Sequence, residues 1–234
     1  EPKAYLNELM MDENSGLPSV KEVFDTTPYT ILVVDDNPDM TDFLKRTFEG
    51  YFKRIIIAGD GGEALQLVRS HVPDIIVSDV MMPRMNGYEL CKTIKEDIAI
   101  SHIPVILLTA KDDKQSLISG YKNGADGYLS KPFEVEMLME LIRNRLKNRE
   151  YTKKRYLNAG LIPTPEESTI SLTDETFLIK LNSIIQENIE NSNLGIQFIC
   201  QEVGLGRSSL YNKLKALTGL SLIHISEPTR LRRI

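Results

Sequence analysis

The sequence predicts a doubly wound α/β domain built on a five-stranded parallel sheet, followed by a small all-α segment. Three observations predict it. Strand-sized apolar runs recur at 31–34, 55–57, 75–77 and 105–108, with a weaker one at 128–129. Each pair of runs is separated by one stretch of helical spacing, and strands joined by single helices run parallel with right-handed crossovers. After Arg155 the strand signal stops, and Pro163 and Pro165 break the chain before purely helical text begins.

Each element follows in order. The first run ends in Asp35-Asp36 and leads to a helix whose Phe43, Leu44 and Phe48 share one face. The second run ends in Gly59-Asp60-Gly61-Gly62, a strand-to-helix turn without the G-x-G-x-x-G spacing of a dinucleotide site. Ala64, Leu65 and Val68 mark the next helix. The third run ends in Asp79, and Leu90 and Ile94 mark the helix after it. The fourth run ends in Thr109 and precedes a helix carrying Leu117 and Tyr121. The fifth ends in Lys131-Pro132, with Val135, Leu138, Leu141, Ile142 and Leu146 on the helix that follows.

In the C-terminal part Thr173 is the expected N-cap of a helix with Asp174 and Glu175 in its first turn. Phe177, Leu178, Leu181, Ile184, Ile185 and Ile189 form its apolar stripe. A shorter helix over 196–203 meets Gly204-Leu205-Gly206, and a further helix carries Leu210, Leu214 and Leu217 on one face. Two short helices joined by a glycine turn, with polar and basic residues on the outer face of the second, outline a helix-turn-helix.

Composition narrows the function. The 234 residues include 28 Lys+Arg and 33 Asp+Glu, and 41% are hydrophobic, which supports one or two domains with real cores and excludes a disordered tail. No apolar run approaches a membrane span, so a soluble, cytoplasmic chain without membrane contact is expected. Cys91 and Cys200, each on an expected core-facing helix position, exclude a disulfide framework or a cysteine-ligated zinc site. His71 and His102 lie near prolines without ligand partners and read as surface or loop residues. The net charge is −4 over 1–27, −3 over 28–150 and +2 over 151–234, so any nucleic-acid surface is local and C-terminal. The expected organisation is an acidic linker over 1–28, the α/β domain over 29–149, a linker over 150–172, a helical domain over 173–219 and a tail over 220–234. An opening at Glu1 without a basic, apolar leader reads as a fragment of a longer chain.

In an open parallel sheet, ligands bind beyond the carboxyl ends of the strands. Asp35, Asp36, Asp79, Thr109 and Lys131 all fall there. Strand-end aspartates are common turn caps, but three converging with a Lys-Pro favour a site. Clustered carboxylates repel one another unless a cation lies between them, and an oxygen-lined site suits Mg²⁺. Such a site neutralises an incoming phosphoryl group, and one carboxylate can act as nucleophile to form an aspartyl phosphate. Lys131 and Thr109 would donate to the phosphoryl oxygens.

The segments Val33-Val34-Asp35-Asp36-Asn37, Ser78-Asp79-Val80-Met81-Met82-Pro83 with Gly87, Leu108-Thr109-Ala110 and Gly124-Ala125-Asp126-Gly127-Tyr128-Leu129-Ser130-Lys131-Pro132-Phe133 resemble the flavodoxin-like response-regulator receiver domain over about residues 29–149. The resemblance implies Asp79 as phosphoacceptor, with Asp35, Asp36, Asp79 and the Met81 carbonyl as Mg²⁺ ligands and Lys131 on the phosphate. It also implies a cis bond before Pro132 and a switch formed by Thr109 and Tyr128. Met81 and Lys111 stand where side chains of this family affect access of the hydrolytic water.

The segment 194–219, with Ser209-Leu210-Tyr211 and Leu214-Lys215-Ala216-Leu217-Thr218-Gly219, resembles the first helix-turn-helix of an AraC-type DNA-binding domain. By that likeness Arg207, Ser208, Ser209, Tyr211, Asn212 and Lys213 lie on or beside the recognition helix. The pairing resembles the C-terminal end of hybrid two-component regulators of the Bacteroides type, in which a sensor histidine kinase precedes these domains. A histidine kinase as phosphodonor, DNA as target and dimerisation on phosphorylation are the implied partners. The second helix-turn-helix of the AraC pattern is replaced by a tail over 220–234 that resembles translated sequencing-adapter read-through. His224, Arg230, Arg232 and Arg233 are therefore not site candidates, and basic bias survives only in Arg207, Lys213 and Lys215.

The leading expectation is a phosphorylation-dependent transcription regulator. Catalysis beyond Mg²⁺-dependent phosphorylation and dephosphorylation of Asp79 itself is not expected of this segment. A receiver serving as phosphoryl sink or docking module without DNA binding is the alternative. A phosphatase-like hydrolase is disfavoured because Met81, not an acid, stands two residues after Asp79.

Overall fold

A computed structural model describes residues 24–110, 124–159, 171–188 and 194–220. Its first part alternates β1 (Thr30–Val34), α1 (Pro38–Phe48), β2 (Arg54–Ala58), α2 (Gly61–His71), β3 (Ile75–Asp79), α3 (Gly87–Glu96), β4 (Val105–Ala110), β5 (Gly127–Lys131) and α4 (Val135–Ala159). Three further helices follow, α5 (Leu172–Glu187), α6 (Ile196–Val203) and α7 (Arg207–Thr218). The sheet is parallel throughout, in the order β2-β1-β3-β4-β5, so the chain reverses its direction of winding after β2.

The strands read as near-continuous apolar runs because both faces are covered. Leu32, Val34, Ile76, Val105 and Leu107 pack on one side with Ala64, Val68, Leu90 and Ile94 of α2 and α3. Ile31, Val33, Ile75, Val77, Ile106 and Leu108 pack on the other with Leu44 and Phe48 of α1 and Leu138, Ile142 and Leu146 of α4. Burying an aliphatic side chain of this size contributes about 1.5–3 kcal/mol, so these two cores dominate the stability.

The helices start where their caps dictate. Asn37 accepts a hydrogen bond from Asp39 N at 2.9 Å with Pro38 in the first turn, and Asp60 accepts from Gly62 N and Glu63 N at 2.7 and 3.0 Å. Asn86 and Glu89 form a reciprocal capping box at the start of α3. Each of these caps follows a strand end, so the same turns that begin α1, α2 and α3 frame the sheet edge where the aspartates lie.

Several expectations are corrected. The cap of α5 is Ser171, not Thr173: Ser171 Oγ accepts from Asp174 N at 3.2 Å, while Thr173 Oγ1 donates to Lys95 O at 3.4 Å. The long helix α4 runs on to Ala159, into the span expected as a linker over 150–172, because no proline or glycine interrupts 135–159. Phe43 is exposed, since Leu44 and Phe48 already fill the sheet-facing side of α1. Cys91 is fully buried as expected, and Cys200 only partly. The linker before residue 24, the helix expected around Leu117 and Tyr121, Lys111, the Pro163 and Pro165 segment, Ile189 and the tail from 221 lie outside the described residues.

The helical part has its own core. Phe177, Leu178, Leu181 and Ile184 of α5 enclose Ile199 and Val203 of α6 and Leu210, Leu214 and Leu217 of α7. The turn between α6 and α7 takes Gly204 through a φ of 78°, where a side chain would be strained, and Gly204 N closes α6 by donating to Cys200 O at 2.9 Å. Ile98 and Ala99, from the loop before β4, pack onto this core.

Candidate functional site

Three strand ends converge. Val34 and Ser78 are partners in the β1–β3 register, so the residues that follow them, Asp35 and Asp79, leave the sheet side by side. One carboxylate oxygen from each of Asp35, Asp36 and Asp79 lies within 4.8 Å of the others. Asp79 pairs with Leu108 across β3–β4, which puts Thr109 one residue further along the same edge. Ala110 pairs with Lys131, which brings the ammonium back to the cluster. Lys131 Nζ lies 2.7 Å from Asp79 Oδ1 and 2.9 Å from Asp35 Oδ2. Backbone donors complete the set: Met81 N donates to Asp79 Oδ2 at 3.1 Å and Asn37 N to Asp35 Oδ1 at 2.9 Å.

The local fold makes this geometry possible. After Asp79 the chain loops through Met81–Asn86 and returns, Gly87 N donating to Val80 O at 3.0 Å. A Cβ on Gly87 would stand 2.2 Å from Asp79 O, so only glycine lets α3 begin against the backbone of Asp79. Arg84 turns the loop through a φ of 67° and pairs with Asp60, tying it to the start of α2. The peptide bond between Lys131 and Pro132 is cis, as the resemblance implied.

Burial raises the pKa of Asp79, and the neighbouring Asp35 carboxylate adds to this, while the hydrogen bond and charge of Lys131 and the Met81 amide pull the other way. Burial works against the Lys131 ammonium, but its two carboxylate partners outweigh it and lift the lysine pKa. The site therefore holds three carboxylates against one ammonium. Its oxygen-only donors and excess negative charge match a hard divalent ion such as Mg²⁺. Thr109 is buried at the edge, Tyr128 is half-buried against the α2–α3 core, and the Met81 side chain is 71% exposed.

In the helical part Arg207, Ser208 and Tyr211 are exposed, and Ser209 and Asn212 half-buried, along one side of α7 with Lys215. Lys213 is not with them. It is 0% exposed, and its ammonium donates to Asp174 Oδ1 at 2.5 Å and to Ser101 Oγ at 2.8 Å. The expectation that Lys213 faces DNA is corrected: three residues after Leu210 and four before Leu217, it falls in the apolar stripe. His102 lies in the loop before β4, as a surface or loop residue was expected to, but it is only 8% exposed, and neither ring nitrogen has a hydrogen-bond partner among the described residues.

Comparison with known proteins decides the family. The pattern of the response regulator receiver domain matches residues 31–143. Residues 31–143 are a receiver domain. The chain is 41% identical over 204 residues to histidine kinase P4 of Formosa agariphila, covering 87% of this chain and 15% of that protein. It is 37% identical over 136 residues to the DNA-binding response regulator MtrA of Mycolicibacterium smegmatis, covering 58% of each. The chain thus spans a small part of the first relative and little more than half of the second. The receiver domain of the Francisella response regulator 1452 aligns with 52% of this chain and 98% of its own, at 35% identity and a TM-score of 0.48.

The sequence names the side chains Asp35, Asp36, Asp79 and Lys131 that converge at this edge. It misses the Met81 amide on Asp79, which no side-chain pattern reveals, and the Ser101, Asp174 and Lys213 cluster. The stripe position of Lys213 is a signal that could have found the last. No helix among the described residues is long and apolar enough to cross a membrane.

Proposed function

We propose that this chain is the receiver and DNA-binding part of a hybrid two-component regulator, with Asp79 as phosphoacceptor. The convergence of Asp35, Asp36 and Asp79 with Lys131 carries this reading. Asp79 Oδ attacks the phosphorus of a phosphohistidine; the new P–O bond forms as the P–N bond breaks, and the imidazole leaves with the electron pair and takes up a proton. Asp35, Asp36, Asp79 and the Met81 carbonyl would hold Mg²⁺, which when bound screens the charge of the phosphoryl oxygens. Lys131 exchanges its hydrogen bond on Asp79 for one on the phosphoryl group, and Thr109, at the same edge, donates to another of its oxygens. Thr109 and Tyr128 form the two-state element that phosphorylation biases.

The DNA-binding half rests on α6, its glycine turn and α7, with Arg207, Ser208, Ser209, Tyr211 and Asn212 as contacts and dimerisation on phosphorylation. The match of 204 residues to histidine kinase P4, longer than the receiver, supports the reading that this segment belongs to a kinase chain. The domains follow as 29–149 and 173–219, with 220–234 a non-native tail, and the compartment as the cytoplasm.

The burial of Lys213 favours one other reading, a receiver that docks partners without DNA. Incubation with Mg²⁺ and acetyl phosphate, followed by intact-mass measurement, tests the acceptor: the chain gains one phosphoryl group and Asp79→Asn gains none. Undiminished phosphorylation of Asp79→Asn overturns the assignment. A parent chain with an uninterrupted C-terminus that fails to bind duplex DNA in both phosphorylation states leaves the docking reading.

A further inference from the structure

Lys213, Asp174 and Ser101 close a hydrogen-bonded ring between the two halves of the chain. Ser101 lies in the loop between α3 and β4, Asp174 in the first turn of α5 and Lys213 in the middle of α7. Ser101 Oγ donates to Asp174 Oδ1 at 2.7 Å and accepts from Lys213 Nζ at 2.8 Å, and Lys213 Nζ reaches the same Asp174 oxygen at 2.5 Å. The Phe177 ring lies 5.0 Å from the ammonium. All three residues are buried.

The seam is broader than the ring. Lys95 holds the receiver's loop in place, donating to Ser101 O and Ile103 O at 3.3 and 2.9 Å, and Thr173 Oγ1 donates to Lys95 O. Arg149 of α4 donates to Asp74 O at 3.0 Å and reaches Ala216 O of α7 at 3.5 Å. That carbonyl is in the last turn of α7, where no helical N–H remains to pair with it. Ile98 and Ala99 add apolar contact.

A buried ion pair is poor evidence for extra stability, because desolvation offsets its attraction, but it is demanding in geometry. The three hydrogen bonds of this ring form together only when the receiver loop, α5 and α7 sit in this one arrangement. The helix period shows what the arrangement removes. Tyr211, Lys215, Ser208 and Asn212 span one arc of α7, and Ser209, Lys213 and Ala216 occupy the arc next to it. Docking therefore leaves the first arc open and covers the second.

We propose that the Ser101–Asp174–Lys213 ring is an intramolecular docking site by which the receiver holds the helical segment and masks one flank of its DNA-facing helix, sequestering Lys213. The masking rests on the DNA-binding reading above; the docking does not. Undocking adds a basic side chain to the open face of α7, where Lys215 and Arg207 already lie.

Amine acylation of the full chain, read by mass spectrometry at each lysine, tests the docking. Lys213 is expected to react at least about tenfold more slowly than Lys215, two positions away on the same helix. Ser101→Asp sets a second carboxylate against Asp174 from the receiver side without altering the helical segment. It is expected to bring Lys213 reactivity to that of Lys215 while acetyl phosphate still phosphorylates Asp79, which reports a folded receiver. Arg149→Gln, which weakens the seam elsewhere, is expected to move Lys213 in the same direction. Equal reactivity of Lys213 and Lys215 in the unaltered chain overturns the docking, as does protection that persists in both variants.

Fluorescence anisotropy with a labelled duplex of arbitrary sequence at low salt tests the masking. Ser101→Asp is expected to bind about fivefold tighter than the unaltered chain. Equal binding by both overturns the masking and leaves the DNA reading standing. No binding by either, even with Lys213 freed, removes the DNA reading and the masking together, and the acylation result alone then judges the docking.

Discussion

Lys131 sets the charge balance of the acceptor edge. It touches Asp79 and Asp35 at once, so it both supports the acidic cluster and competes for it with a metal ion. Lys131→Met is expected to bind Mg²⁺ roughly threefold to tenfold more tightly by calorimetric titration, because the net charge of the cluster becomes more negative. On the proposed function, the same variant is expected to lose most of its phosphorylation by acetyl phosphate, because Lys131 is the proposed donor to the phosphoryl group. Weaker Mg²⁺ binding would show that Lys131 organises the carboxylates rather than competing for them. Gly87 is constrained by space alone. Gly87→Ala is expected to cost about 2–4 kcal/mol in urea unfolding, since its Cβ and the Asp79 carbonyl cannot both keep their places. His102 carries a pH dependence. Burial, and after it the Arg149, Lys213 and Lys95 charges, hold its pKa well below the usual 6.5. The fold keeps the imidazole neutral while the unfolded chain protonates it, so the unfolded state binds the extra proton and stability falls as pH drops. The expected loss is up to about 1.4 kcal/mol per pH unit below pH 6.5, and His102→Leu is expected to flatten that slope.

At the scale of elements, caps and turns do most of the positioning. The reciprocal cap of Asn86 and Glu89 starts α3 one residue before Gly87, against the acceptor strand. Asn86→Ala is expected to lower stability by about 1 kcal/mol in urea unfolding and to slow phosphorylation of Asp79 through the loop it anchors. Such elements are legible in the amino-acid order, because strand and helix periods and the caps Asn37, Asp60 and Asn86 are local signals. The start of α5 is less so: Ser171 and Thr173 are equally good caps in sequence, and only the contact of Thr173 with Lys95 O separates them. The end of α4 is legible too, since Gly160 follows Ala159 directly and Pro163 comes soon after. In the helical part, Leu214 is fully buried in the core shared by α5, α6 and α7, and Leu214→Ala is expected to cost about 2–5 kcal/mol, measured as loss of the helical segment's protection in hydrogen exchange.

At the scale of the whole molecule, the receiver and the helices share a polar seam as well as the chain that joins them. Arg149 takes part in both halves through Asp74 and Ala216, and its side chain is largely buried. The acceptor edge and the seam lie at opposite ends of β4: Thr109 is near its C-terminal end, and Ser101 and His102 precede its start. One strand thus connects the carboxylate cluster to the loop that contacts α5 and α7.

The amino-acid order specifies the strands, their parallel orientation and which carboxylates meet Lys131 at the sheet edge. Asp35, Asp36, Asp79, Thr109 and Lys131 must meet because each ends a parallel strand, and parallel strands deliver their carboxyl ends to one edge. Tertiary structure alone decided which polar residues on α7 face solvent and which face the receiver. Lys213 looks like Lys215 in composition and propensity; the difference is that Asp174 and Ser101, distant in sequence, satisfy one ammonium and leave the other in water. Burial of a charge depends on partners that only the folded chain brings within hydrogen-bond reach, which is why the seam is invisible in a pattern that shows the acceptor site in full.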